Sequence, residues 1–149
     1  MLGRTYENQH CSAARTLELV GERWSLLILR DAIFGGYTRF SQFQKSLGIA
    51  TNVLTSRLEG FVSAGLMERK PQSGSDQTEY GLTTRGRELA STIIALTEWG
   101  DKWLSPGPHV FHDRISGQVV HLELQRPDKG GAVPLADIVA RPRQVSDAA

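Results

Sequence analysis

The sequence predicts a mainly helical domain with a small two-stranded sheet, an α+β arrangement carrying a short β extension at its C-terminal end. Three observations predict it. Apolar residues recur at helical spacing in successive segments between Ser12 and Ala64 and again from Thr84 to Trp103. Between these blocks the period shortens to two: Leu66, Glu68 and Lys70 alternate with Met67 and Arg69, and Thr78, Tyr80 and Leu82 alternate with Glu79 and Gly81. The loop between the two runs, Pro71 to Gln77, is rich in Ser, Gly and Gln and cannot build a core.

Each element follows from local chemistry. Ser12 is placed to cap a helix carrying Ala13, Leu17 and Val20, which Gly21 stops. Trp24-Ser25-Leu26-Leu27-Ile28-Leu29 continues to Ile33-Phe34 before Gly35-Gly36, a nearly unbroken apolar run that predicts the central buried helix. Phe40, Phe43 and Leu47 fall on one face of the next helix, and Gly48 sits where it must end. Only Gly48, Ile49 and Ala50 separate it from a helix spanning Thr51 to Ala64, the spacing of a helix-turn-helix. In that last helix Leu54, Leu58, Phe61 and Val62 form the buried stripe, while Gly60 is exposed and costs about 1 kcal/mol against Ala. The opposite face carries Asn52, Val53 and Ser56, flanked by Thr55 and Arg57: small hydrogen-bonding groups of the kind a helix needs to enter a major groove. The hairpin that follows is a wing, which makes the whole a winged helix-turn-helix.

Thr84 is a plausible cap for a long helix through Trp103. Leu89, Ile93, Leu96, Gly100 and Trp103 share one face, and Ile94, Trp99 and Leu104 widen it. A stripe this wide is buried most simply by a second copy of the chain. The expected two-fold dimer, using Leu17, Leu89, Ile93, Leu96, Trp99 and Trp103, suits a palindromic DNA site.

Composition sets the bounds. At 149 residues and 40% hydrophobic, with no run of eighteen apolar residues, the chain reads as a soluble domain with one core and no membrane span. No signal peptide is visible at Met1-Leu2-Gly3-Arg4, and the single Cys11 cannot form an intramolecular disulfide, so a cytoplasmic location is expected. The net charge is only +1, but its distribution is uneven. From Arg39 to Arg87, Arg39, Lys45, Arg57, Arg69, Lys70, Arg85 and Arg87 face only Glu59, Glu68, Asp76 and Glu79. Phosphate contacts are local, so this excess marks a reading head for double-stranded DNA. The expected contacts are Arg39, Thr51, Asn52, Val53, Thr55, Ser56, Arg57, Arg69, Lys70 and Ser73. An enzyme is not expected, for there is no Gly-rich phosphate loop, no meaningful Ser/His/Asp order and no His near Cys11 that reads as its partner. The rival reading is a winged helix that binds protein and no DNA.

The same residues resemble the HxlR-type transcriptional regulators from about Cys11 to Trp103. The resemblance rests on Cys11, then Leu19-Val20-Gly21-Glu22-Arg23-Trp24 leading to Leu27-Ile28-Leu29-Arg30, then Arg39-Phe40, Leu54 and Arg57-Leu58. It continues through Gly65-Leu66, Glu68-Arg69, Glu79-Tyr80, Leu82-Thr83, Gly86 and Glu98-Trp99-Gly100. It implies a homodimer that represses or activates nearby genes. Two positions depart from the family pattern: Ala50 and Asn52 stand where a Ser and a basic residue are usual, leaving Thr51 to act as cap. Cys11 matches a cysteine that some relatives use to sense oxidants or electrophiles, and a helix N-terminus favours the thiolate; the identity of any small-molecule effector is left open by the sequence.

Pro106-Gly107-Pro108 closes the helical domain, which spans residues 1–104. Residues 105–149 form an extension read as a β-hairpin with a flexible end. Gln118 to Gln125 is the first strand, Asp128-Lys129-Gly130-Gly131 the turn, and Ala132 to Val139 the second strand. Some family members carry metal-spaced cysteines in such an extension, but Ser116 and Leu124 occupy the comparable positions here. His109, His112, Asp113 and His121 lack a ligand spacing, so no metal or other cofactor is expected.

Overall fold

The computed structural model describes residues 5–128 and 130–144. Its elements are α1 (Ser12–Val20), α2 (Ser25–Phe34), α3 (Phe40–Leu47), α4 (Thr51–Ser63), β1 (Met67–Pro71), β2 (Thr78–Leu82), α5 (Thr84–Arg87), α6 (Ala90–Trp103) and a 3-10 turn at Leu135–Asp137. The chain divides into two compact units, Met1–Thr97 and Glu98–Ala149, with the division inside α6. The signal-peptide reading at Met1 to Arg4, the Lys129 position of the expected turn and the last five residues lie outside the described residues.

The first unit is organised around the apolar faces read from the sequence. Ile28 and Leu29 of α2, Phe43 of α3, and Leu54, Leu58 and Phe61 of α4 are fully or almost fully buried, and Leu66, Met67, Tyr80 and Ile93 join the same cluster. Asp31, on the buried side of α2, accepts hydrogen bonds from Arg30 Nε at 2.9 Å and from the Ser46 hydroxyl at 2.7 Å. A buried carboxylate costs stability unless it is satisfied in this way, and the Ser46 hydroxyl ties α3 to α2.

The wing is a two-stranded antiparallel sheet in which Met67 faces Leu82, Arg69 faces Tyr80 and Pro71 faces Thr78. Tyr80 N–H donates to the Thr38 carbonyl at 2.7 Å, and Arg39 bridges Glu79, so the segment before α3 extends the sheet edge. At the tip Gly74 takes φ +75°, a left-handed turn conformation that suits glycine.

Three local readings are corrected. Cys11, not Ser12, caps α1: its Sγ accepts from Ala14 N–H at 3.4 Å, and Ser12 is the first helical residue. Thr83, not Thr84, caps the next helix, accepting from Gly86 N–H at 3.1 Å. That helix is also broken, since α5 ends at Arg87 and Leu89 N–H bonds back only three residues to the Gly86 carbonyl. The reason lies at the base of the wing. Thr83 N–H donates to the Leu66 carbonyl at 3.1 Å and its hydroxyl to the Gly65 carbonyl at 2.7 Å, while Arg85 donates to the Ala64 carbonyl at 2.9 Å. These bonds hold α5 against the start of β1, and the chain must turn before α6 can pack its own face.

The two strands expected in the extension do not form. Only isolated bridges are present, His112 with Val119 and Gln125 with Ala132. Val133 N–H reaches the Leu124 carbonyl at 2.7 Å, but the next ladder donor, Leu122 N–H, goes to the Glu98 carboxylate at 3.2 Å, and the opposite segment turns at Leu135–Asp137.

The close approach of α5 to the start of β1 depends on Gly86. A Cβ there would lie 2.1 Å from the Leu66 carbonyl oxygen, and that oxygen belongs to backbone held by Thr83. Gly86→Ala is therefore expected to destabilise the protein by about 3 kcal/mol, the upper end of overpacking costs. Urea unfolding of the two proteins measures this; a loss below about 0.5 kcal/mol would mean that β1 yields freely.

Candidate nucleic-acid interface

The turn between α3 and α4 is built by three different residues. Gly48 takes φ +59°, which allows its N–H to close α3 on the Gln44 carbonyl. Ile49 is buried in the core and pins the turn, and Ala50 is extended and begins α4. Ala50 offers no side-chain cap, and Thr51 does not replace it as expected. The Thr51 hydroxyl instead accepts from Gln44 Nε2 at 2.8 Å, clasping α3 to α4.

The outer face of α4 presents Thr51, Asn52, Thr55 and Ser56 to solvent. The Thr55 hydroxyl donates to the Thr51 carbonyl at 2.8 Å, which leaves its methyl group outermost. Val53 is half-buried and packs against the core, so it belongs only partly to this face. The wing lies beside the helix, for Arg69 of β1 is paired with Glu59 of α4. The Glu59 hydrogen bond, with its charge second, holds the Arg69 guanidinium above its ordinary pKa. Ser73 is exposed in the wing loop.

The cations are less available than their number suggests. Arg39 pairs with Glu79 at 3.2 Å, Lys70 with Glu68 at 2.7 Å, Arg69 with Glu59, and Arg57 with Glu22 at 2.9 Å. Magnitude separates these pairs. Exposed ion pairs are worth about 0–1 kcal/mol, so Arg39, Arg69 and Lys70, each with about half its side chain in solvent, can exchange a carboxylate for a phosphate at small cost. Arg57 is held more firmly: its side chain is only 18% exposed and reaches back to Glu22 in the turn before α2, tying α4 to that turn. Lys45 and Arg87 are exposed and were not singled out from the sequence as contacts.

The expected dimer face also divides. Ile93 is buried within the chain's own core, and the partly buried Leu89 packs against that core. Leu17, Leu96, Trp99 and Trp103 are exposed, the two tryptophans at 59% and 63%. In the second unit, His112 Nδ1 lies 3.0 Å from the Gly117 carbonyl and His121 Nδ1 3.1 Å from Glu98. The Ser116 hydroxyl, then the N–H groups of Ile115 and Ser116, hold the Asp113 carboxyl below its usual range. Among the described residues no group of three or more His, Cys, Asp or Glu side chains is placed to hold a metal. Among the same residues no helix is long and apolar enough to cross a membrane.

Comparison with known proteins agrees with this geometry. The model of the HxlR-like helix-turn-helix family matches residues 19–108. An uncharacterized HTH-type transcriptional regulator of Mycobacterium tuberculosis, Rv3095, is 50% identical over 94 residues, covering 62% of this chain and 59% of that protein. The chain thus spans less than two thirds of that relative's length. Among solved structures, PA1607, described as a candidate transcription factor, is 35% identical with a TM-score of 0.83 over 94% of this chain and 100% of its own. The redox regulator HypR in its reduced form is 26% identical with a TM-score of 0.56, covering 62% of this chain and 92% of its own.

The bare Ala50 cap makes a measurable statement. Ala50→Ser supplies an acceptor for the first turn of α4 and is expected to raise stability by about 1 kcal/mol. Chemical denaturation checks the gain, and an unchanged midpoint would show that the clasp from Gln44 already does the work of a cap.

Proposed function

The chain belongs to the HxlR-like helix-turn-helix family, and from that premise we propose that it is a DNA-binding transcriptional regulator acting in the cytoplasm as a homodimer on a palindromic site. The observation that carries the reading is the exposed face of Thr51, Asn52, Thr55 and Ser56 at the start of α4, set beside a wing with exchangeable cations. Asn52 and Ser56 offer donors and acceptors to base edges, and Arg39, Arg69, Lys70 and Ser73 hold the backbone on either side. Lys45 and Arg87 are added to the phosphate set because both are exposed. The family membership and the relatives' names support the same reading.

A titration of the chain's own upstream duplex tests it. Asn52→Ala or Ser56→Ala is expected to relax base preference by roughly 1–3 kcal/mol, while Arg69→Ala or Lys70→Ala weakens all sequences alike. Each lost phosphate contact lowers the slope of log K against log salt by roughly 1. Absence of duplex binding at low salt would favour the rival, a winged helix that binds only protein.

The dimer rests on the apolar residues left in solvent. Leu96, Trp99 and Trp103 recur at i, i+3 and i+7 on α6, and large aromatic groups in water at this density mark an association surface. Half-sites of a two-fold reader lie about 34–36 Å apart, so the dimer sets operator spacing. Trp99→Glu is expected to yield a folded monomer with greatly weakened operator binding. Sedimentation at micromolar concentration reads this out, and a variant that remains dimeric would place the interface elsewhere.

Cys11 is exposed and lies at the N-terminus of α1, which supports a role in sensing over one as a core filler. Its thiol reports oxidants or electrophiles by weakening operator binding. Mild oxidant is expected to reduce DNA affinity of the native chain and to leave Cys11→Ser unaffected; equal responses would remove Cys11 from the mechanism.

A further inference from the structure

A cleft of 750 Å³ lies between α1, the turn before α2 and the C-terminal half of α4, within the first unit. Its lining includes Leu19, Glu22, Ser25, Arg57, Gly60 and Phe61. Two polar atoms on its walls are anomalous. The Ser25 hydroxyl, in a residue only 1% exposed, has no hydrogen-bond partner, and neither has the buried Nε–H of Arg57. Buried groups of this kind cost stability when left unsatisfied, and nearly all in folded proteins find a partner. Both residues line the same cleft, whose walls also carry the apolar Leu19 and Phe61 and the carboxylates Glu18 and Glu22.

The remaining chemistry narrows the ligand. The Arg57 guanidinium already gives one amino group to Glu22 at 2.9 Å, leaving the Nε–H for an acceptor from the cleft. Guanidinium groups bind planar two-oxygen acceptors best, and a hydroxyl such as that of Ser25 donates to the same kind of oxygen. Gly60 opens the wall further, for a Cβ at that position meets nothing within 4 Å. A glycine exposed in mid-helix has a helix-propensity cost of about 1 kcal/mol and fills no local backbone need, since its φ lies outside the left-handed region.

The geometry points to a binding site for a small apolar carboxylate, its carboxyl group on Arg57 Nε–H and the Ser25 hydroxyl, its hydrocarbon body against Phe61 and Leu19. Because Arg57 belongs to α4, occupation bears on the helix that the proposed function assigns to DNA. That consequence rests on the DNA reading; the binding itself does not.

Binding is therefore measured without DNA, by calorimetric titration of the full chain with benzoate and with hexanoate. Saturable one-to-one binding of at least one is expected, with benzyl alcohol at least tenfold weaker. Ser25→Ala, which removes only an unpaired hydroxyl, and Arg57→Lys, which keeps a cation for Glu22 but deletes Nε–H, are each expected to weaken binding about tenfold. Gly60→Leu, which projects a side chain into the open cleft, is expected to abolish it while circular dichroism and thermal unfolding report a native fold. Failure of both carboxylates to saturate, or unchanged affinity in Gly60→Leu, overturns the site. A second titration on the operator duplex then asks whether the bound carboxylate changes DNA affinity. Binding without that change leaves the site standing and removes its regulatory consequence.

Discussion

The position of the wing depends on one backbone approach, the carbonyl of Leu66 against the Cα of Gly86. No side chain fits between them, and the bonds from Thr83 and Arg85 to the carbonyls of Ala64, Gly65 and Leu66 hold the approach closed. Every other feature of the reading head inherits this contact. It sets where β1 leaves α4, and hence where Arg69 meets Glu59. It also sets the end of β2, and through Tyr80 N–H on Thr38 the entry to α3. A wing attached only by a flexible loop would lose in ordering entropy what it gained in phosphate contacts. Here the ordering is done on folding.

Charge in the reading head follows the same logic of partial commitment. A cation with no partner repels its neighbours, and one in a buried pair leaves its partner only at high cost; half-exposed pairs lie between these limits. Arg39, Arg69 and Lys70 sit there, whereas Arg57 is largely buried and ties α4 to Glu22 through one amino group. The local excess of positive charge read from the sequence is thus a sum over two populations, one that holds the fold and one that can move to phosphate.

The core helices, the three-residue turn and the register of the wing were legible because each carries a periodic or conformational signal: buried Leu54, Leu58 and Phe61 on one stripe, Gly48 at a left-handed position, Tyr80 alternating with Glu79. What was not legible depends on contacts distant in sequence. Nothing near Arg57 announces that Glu22, thirty-five residues earlier, will take its guanidinium. The choice between Thr83 and Thr84 as cap is invisible to composition, because both residues can cap; the carbonyls of Gly65 and Leu66 decide it. Ile93 falls on the same helical face as Leu96, and only the packing of α6 shows that one is core and the other surface. In the extension, Gln125 and Ala132 pair only as an isolated bridge, because the Leu122 N–H that a longer ladder would use goes to Glu98, twenty-four residues earlier.

Departures from local consistency gather around α4. Its first turn lacks a side-chain cap, Gly60 interrupts its exposed side, the Nε–H of Arg57 is buried unpaired, and Ser25 across the cleft is likewise unsatisfied. Trp24, next to Ser25, takes φ +79°, the one left-handed non-glycine residue found among the described residues and a conformation that costs roughly 1–3 kcal/mol. Away from α4 and α2, the buried Gln72 Oε1 in the wing loop is the other unpaired side-chain atom found among the described residues. Sequences that specify a fold depart from local consistency mainly where function sets a competing demand. The uncapped N–H groups at the start of α4 are the ones an anion would use, and Arg57 at its middle lines the cleft with Ser25 of α2. The helix is closed at its C-terminal end by Thr83 and Arg85, so the polar groups left open to a partner lie at its start and its middle.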